Sequence, residues 1–225
     1  MSRRTDLLTR AAACYEKASL YSDAARCYRD AGHMQRAAAA YARAGDLATA
    51  AECYRAGDDF AGAADLYLAL GRPEDAAECW REAGDRLRAG WVLATGTRLF
   101  LQAERLLTAA PAEETGARLR RELALGVCRA RGGGRADALE RAILACERDL
   151  AEVRGHRQRE LVETWAVQAA GLLGRHDLAA RVFAASYACR TRDAARRWRS
   201  WAMVNLGDTF GVPEADGPDA ADQEA

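Results

Sequence analysis

Small and apolar positions in the first 90 residues recur with a period of 13. Tyr15, Tyr28, Tyr41, Tyr54, Tyr67 and Trp80 stand 13 residues apart in unbroken register. Four residues before each aromatic is an alanine (Ala11, Ala24, Ala37, Ala50, Ala63, Ala76), and three before it is another (Ala12, Ala25, Ala38, Ala51, Ala64, Ala77). Three residues after the aromatic come Ala18, Ala31, Ala44, Gly57, Leu70 and Ala83. These offsets trace the i, i+3, i+4, i+7 stripe of an α-helix, so each unit is one short helix that gathers its alanines and its aromatic on one face.

The next position in the register holds Ser19, Gly32, Gly45, Asp58, Gly71 and Gly84. A glycine there supplies the left-handed residue that ends a helix, and Asp46, Asp58 or Asp59, and Asp85 stand where they can cap the following one. Pro73, after Gly71 and Arg72, suits a first helical position. The fourth unit carries its glycine one place early, which predicts a different turn. Each unit then keeps about ten helical residues, roughly 15 Å of helix. Helices this short are not stable alone in water, so they must stack. The alanine pair lets neighbouring helices approach closely while the aromatic fills the gap between them. Glu52 with Arg55 and Glu78 with Arg81 are expected to pair on the solvated face, at a few tenths of a kcal/mol each.

After Leu93 the period fails and the helices lengthen. The pattern predicts helices near 98–109, 115–131, 135–153, 157–173, 176–189 and 192–206, with breaks at Pro111 and at Gly132-Gly133-Gly134. One fragment of the register returns, with Ala179 four residues before Phe183 and Ser186 three after it. The organisation expected is a short-helix array over 1–94, with six units around 11–89, then longer helical hairpins over 95–211 that continue it. Residues 212–225 carry five acids, no base and two prolines, and are expected to form a disordered acidic tail.

The 225 residues are half apolar, and 33 basic side chains balance 33 acidic ones, so no global field steers the chain toward nucleic acid or anionic lipid. The N-terminus leads into no signal-peptide core, and no stretch approaches the ~18 apolar residues of a membrane span. The expectation is a cytoplasmic protein whose seven cysteines are free, buried thiols. Cys14, Cys27, Cys53 and Cys79 each precede a repeat aromatic, where cysteine acts as a small hydrophobe. His33, His156 and His176 are separated from one another and match no zinc spacing. The segment Arg131-Gly132-Gly133-Gly134-Arg135 lacks the Gly-Lys-Ser/Thr ending of a phosphate loop. No catalytic, cofactor-binding or metal-binding residues are therefore assigned, and the chain is not expected to be an enzyme.

The strings Ala24 to Tyr28 to Ala31 and Ala37 to Tyr41 to Ala44 resemble the second helix of the tetratricopeptide-like superfamily, over residues 11–94. Two units span only 26 residues and the long first helix is missing. The likeness is therefore nearer to the short-helix repeats of soluble NSF attachment proteins, coatomer and intraflagellar-transport subunits. The resemblance implies an all-α, right-handed α-solenoid of stacked antiparallel helices. It also implies a non-catalytic scaffold or adaptor that holds one or more protein partners on an extended surface.

Two other readings are set beside this one. Residues 91–211 carry 20 bases against 14 acids, and Arg190, Arg192, Arg196, Arg197 and Arg199 surround Trp198 and Trp201. That cluster suits an acidic partner segment or nucleic acid. Its alternative is that the tryptophans belong to the core while the arginines stay solvated or pair with Asp193 and the tail. The second reading is a regulatory module that senses a ligand in a helical cleft. An uncapped array exposes an apolar end, which marks the C-terminal helices, near 201–210, as a surface for self-association or for a heteromeric neighbour. If the stacked-repeat reading holds, Tyr41→Ala lowers stability by about 3–5 kcal/mol in chemical denaturation, and an unchanged midpoint would refute it.

Overall fold

A computed structural model describes residues 3–209 and 211–214. Among the described residues the chain is all-α. Its thirteen helices are α1 (Arg3–Lys17), α2 (Tyr21–Asp30), α3 (Met34–Arg43), α4 (Leu47–Ala56), α5 (Phe60–Ala69), α6 (Pro73–Glu82), α7 (Arg86–Gly96), α8 (Phe100–Thr108), α9 (Thr115–Arg131), α10 (Asp137–Asp149), α11 (His156–Leu172), α12 (His176–Ala188) and α13 (Ala194–Leu206). A 3-10 turn at Leu150–Glu152 extends α10. The chain divides into two compact units within α8, between Leu106 and Leu107.

In the first unit each helix from α1 to α7 packs on the next. One linker geometry, repeated six times, sets their spacing. After α2, Gly32 lies at φ +80° and donates its N–H to the carbonyl of Arg29 at 2.9 Å, while His33 donates to the carbonyl of Tyr28 at 2.9 Å. This double closure satisfies the last carbonyls of the helix. His33 then accepts from the N–H of Ala37 at 2.9 Å and so opens α3. Its single residue is both the last of one helix end and the first of the next.

The same pair of bonds recurs at Ser19 and Leu20, Gly45 and Asp46, Asp58 and Asp59, Gly71 and Arg72, and Gly84 and Asp85. In every case the second donor reaches back to the carbonyl of the repeat aromatic. Ten helical residues and three linker residues make the period of 13. The early glycine of the fourth unit leaves the turn unchanged in form: Asp58 takes the left-handed position at φ +60°, and Gly57 sits before it at φ −98°. Gly57 is held small by its neighbour, since a Cβ there would stand 3.0 Å from the Cβ of Met34. The side chains of Asp46, Asp59 and Asp85 accept from the N–H groups of Thr49, Gly62 and Arg88 and cap α4, α5 and α7. Leu20, His33 and Arg72 occupy the same position before α2, α3 and α6 without a side-chain cap.

The core of this unit consists of the alanine pairs and the aromatics. From Ala24 and Ala25 through Ala76 and Ala77, every member of the pairs is buried. Tyr28, Tyr41, Tyr67 and Trp80 are buried beside them, Tyr54 is half-buried, and Tyr15, at the open end, is 39% exposed. α7 continues the register with Ala89, Gly90 and Leu93, a leucine standing in for the aromatic. Of the two surface pairs expected, Arg81 pairs with Glu78, but Arg55 turns from Glu52 to Glu82, donating from Nε at 2.9 Å. The partner lies two helices along, which places α4 and α6 side by side.

The second unit is built from longer helices with larger side chains. α9 packs on α10 and α11, α10 on α11 and α12, α11 on α12, and α12 on α13. Leu119, Leu123, Val127, Leu139, Ile143, Val162 and Val182 fill its interior. The complete linker of the first unit, with one residue closing a helix and opening the next, returns between α11 and α12. Gly174 lies at φ +65°, Arg175 donates its N–H to the carbonyl of Ala170 at 3.0 Å, and Ala179 donates back to Arg175. Of the expected acidic tail, residues 215–225 lie outside the described residues, as does Phe210; Val212 donates its N–H to the carbonyl of Thr209 at 3.1 Å.

Two substitutions isolate the linker. A Cβ at Gly45 would meet nothing within 4 Å, so Gly45→Ala costs only the left-handed backbone, about 1–2 kcal/mol. Asp58→Gly removes the same strain and is expected to raise stability by up to about 1 kcal/mol, with opposite shifts of the denaturant midpoint reporting the pair.

Candidate functional site

The basic and aromatic cluster of the sequence falls on α13 and the turn before it. Asp193, at φ +55°, opens the helix, and Gly207, at φ +73°, ends it. Ala194, Ala195 and Ala202 are buried. The turn entering it repeats the double closure: Arg190, at φ +49°, donates to the carbonyl of Tyr187, and Thr191 donates to that of Ser186.

Of the seven residues, three face inward. Trp198 stacks on Phe183 of α12, with ring centroids 6.2 Å apart and planes 7° off parallel. Trp201 tilts onto the same ring at 5.5 Å and meets His176 edge-on at 5.9 Å. Phe183 is the aromatic of the recurring register, so α12 offers the surface that the sequence placed there. Arg197 reaches the carboxylate of Glu163 on α11 with both arms, Nε to Oε1 at 2.6 Å and Nη2 to Oε2 at 2.8 Å.

Glu163 is 1% exposed and also accepts from the hydroxyl of Ser186. A buried carboxylate is costly unless its charge and lone pairs are met, and here three helices meet them. The bond to Glu163 also raises the pKa of Arg197 above its ordinary value. Among the described residues, Thr191 Oγ1 and Arg199 Nε are the buried side-chain polar atoms without a partner.

Arg190, Arg192 and Arg196 turn outward, while Arg199 is half-buried with its Nε enclosed. Asp193 sits between Arg196, at 2.9 Å, and Arg192, at 3.8 Å. Arg190 is exposed. Beyond them the helix ends in exposed Met203, Val204 and Leu206. The seven residues thus divide between a buried seam and a solvated rim that leads into an apolar tip.

Sequence reasoning missed a second surface, on the first unit. Its helices alternate sides, so α2, α4 and α6 share one face and α3, α5 and α7 the other. One residue after the repeat aromatic come Arg29, Arg55 and Arg81 on the first face and Ala42, Leu68 and Ala94 on the second. The first set of helices carries four arginines and seven acids; the second carries four arginines and Asp65 alone. A period of 26 superimposed on the period of 13 was the available signal, visible at that position and at the one before the aromatic, where Cys27, Cys53 and Cys79 alternate with Ala40, Leu66 and Val92.

Other candidate chemistry is dispersed. A shallow cleft of about 420 Å³ lies between the start of α3, Gly32 to Arg36, and the end of α4, Ala56 to Asp58. His33 in it is tied to Thr9 Oγ1 at 3.0 Å. Among the described residues no three His, Cys, Asp or Glu side chains are grouped to hold a metal ion. All seven cysteines are free; Cys53, Cys79, Cys128 and Cys146 are buried, Cys27 and Cys189 are half-buried, and Cys14 is exposed, unlike the buried thiol expected there. Burial pushes the Cys53, Cys79 and Cys146 thiols up, away from the reactive thiolate. No described helix is long and apolar enough to cross a membrane. Comparison with known proteins gives no match, whether to a family model, a curated protein or a solved structure.

The inward half of the cluster is tested by breaking its ion pair. Arg197→Ala strands Glu163 and is expected to cost about 3–5 kcal/mol, while Arg196→Ala stays within about 0.5 kcal/mol. Replacing Glu163 with Leu and Arg197 with Met together recovers most of the loss, because no charge is then left buried. Equal effects at Arg196 and Arg197 in urea denaturation would contradict this division of roles.

Proposed function

We propose that this protein is a non-catalytic interaction scaffold that holds a protein partner on its helical surface. The observation that carries the reading is the division of the first unit into two chemically different faces. A structural need for stacking is met by the alanine pairs and the aromatics, which are common to all its helices. It does not call for an acid-rich face opposite a less charged, basic one, and a partner to be recognised does. The tetratricopeptide-like arrangement suggested by the repeat supports the same reading, as does the exposed apolar end of α13.

Affinity capture of the full chain from its native lysate tests this, run with and without nuclease and at two salt concentrations, with mass spectrometry of the eluate. A stoichiometric protein partner that survives nuclease and salt is the expected result. Recovery only of nuclease-sensitive material that is lost as salt rises would replace the scaffold with a nucleic-acid binder working through the outward arginines.

A further inference from the structure

We infer that the α3 and α5 side of the first unit is the docking surface, and that its occupant is an amphipathic helix of a partner protein with an apolar stripe flanked by acidic residues. The inference rests on the scaffold reading and says where and what the scaffold binds.

α5 is the starting point. Its ten residues contain a single charge, Asp65, and a surface helix with so little polar text is ordinarily covered. Ala63, Ala64 and Tyr67 face the core, which leaves Leu68 at 43% exposure and Leu70, just past the helix, at 37%. Ala61 and Ala69 are exposed beside them, and Phe60 and Leu66 are half-buried. α7 also carries large apolar side chains, and there they are covered: Trp91, Val92 and Ala94 are 6%, 6% and 0% exposed. The positions equivalent to Leu68 and Leu70, on α3 and just past it, hold Ala42, half-buried, and Ala44, exposed, low side chains that leave room for an approaching helix.

Charge selects the occupant. α3 carries Arg36 and Arg43 and no acid. Among the described residues neither arginine is paired with a carboxylate. Each instead lies against a tyrosine of α2: Arg36 is 5.9 Å from the ring centroid of Tyr28, and Arg43 is 4.1 Å from that of Tyr21 and donates to its hydroxyl at 2.6 Å. Two guanidinium groups of α3 are thus held against tyrosines with no carboxylate to neutralise them. A helix with leucines between glutamates would meet both features at once. The opposite face, with its seven acids, would repel it. A nucleic acid would meet the arginines but leave Leu68 and Leu70 unused.

The test uses the full chain and two synthetic peptides, helical and labelled, with one leucine stripe flanked in one case by glutamates and in the other by lysines. Fluorescence anisotropy is expected to show binding of the glutamate peptide alone, weakened at least about tenfold by Leu68→Glu and by Arg43→Glu. Arg29→Glu on the opposite face and Met203→Glu on α13 should leave it unchanged. All four positions are exposed, so circular dichroism melting separates lost binding from lost fold.

Equal or tighter binding of the lysine peptide overturns the inference. So does a dimer in sedimentation equilibrium that Leu68→Glu abolishes, since the occupant is then a second copy. If the glutamate peptide binds but only Met203→Glu releases it, the scaffold reading stands and its surface moves to α13. If neither peptide binds while lysate capture still yields a stoichiometric partner, the inference fails and the scaffold survives; failure of both removes the scaffold reading as well.

Discussion

Everything in the first unit depends on a residue shared by two helices. His33, Asp46, Asp59, Arg72 and Asp85 each close the helix behind by donating to the carbonyl of its aromatic and open the helix ahead by accepting from its first buried alanine. No slack is left in such a connection. The aromatic that packs between helices is thereby tied, through its own backbone, to the direction in which the next helix departs. Side-chain packing and chain reversal are fixed by one residue, and a 13-residue period follows from them. A linker of free length would let the short helices fray, since none has the length to persist alone.

The second unit meets the same demand by other means. Its helices are longer, and each contacts more than its immediate neighbours, so branched aliphatic side chains can make a thicker core. Where it must fix α13, it uses Glu163, Ser186 and Arg197 across three helices, with Phe183 receiving both tryptophans. A buried ion pair specifies one arrangement more sharply than apolar contact does, because any slip strands a charge. α13 is held on its inner side by polar geometry and is free on its outer side to present apolar residues.

What the sequence showed and what it hid divide by distance along the chain. The units, their glycines and the caps at Asp46 and Asp85 were legible because each involves residues within one turn or linker. Predicted helices at 115–131, 157–173 and 176–189 lie within one residue of α9, α11 and α12 for the same reason. Arg55 was misassigned, since a local acid at Glu52 looked as good as Glu82, 27 residues on. The pairing of Arg197 with Glu163, 34 residues apart, left no trace in either helix. Cys14 differs from Cys53 and Cys79 only in belonging to the end helix, which has a neighbour on one side. The two faces were written in the text at Arg29, Ala42, Arg55, Leu68, Arg81 and Ala94, but the stronger period concealed the weaker one.

The alternation of faces also bears on how such a chain can change its length over generations. Deleting or duplicating one 13-residue unit would preserve every linker and every core contact, and the array would still stack. It would also send each later helix to the wrong side, so that loss of a unit before α5 would put Leu68 on the side of Arg29 and Arg81 on the side of Ala42. Only a pair of units can be gained or lost without scrambling the surface. The fold counts in ones and the surface in twos, and an array of this kind is expected to diversify by hairpins and not by helices.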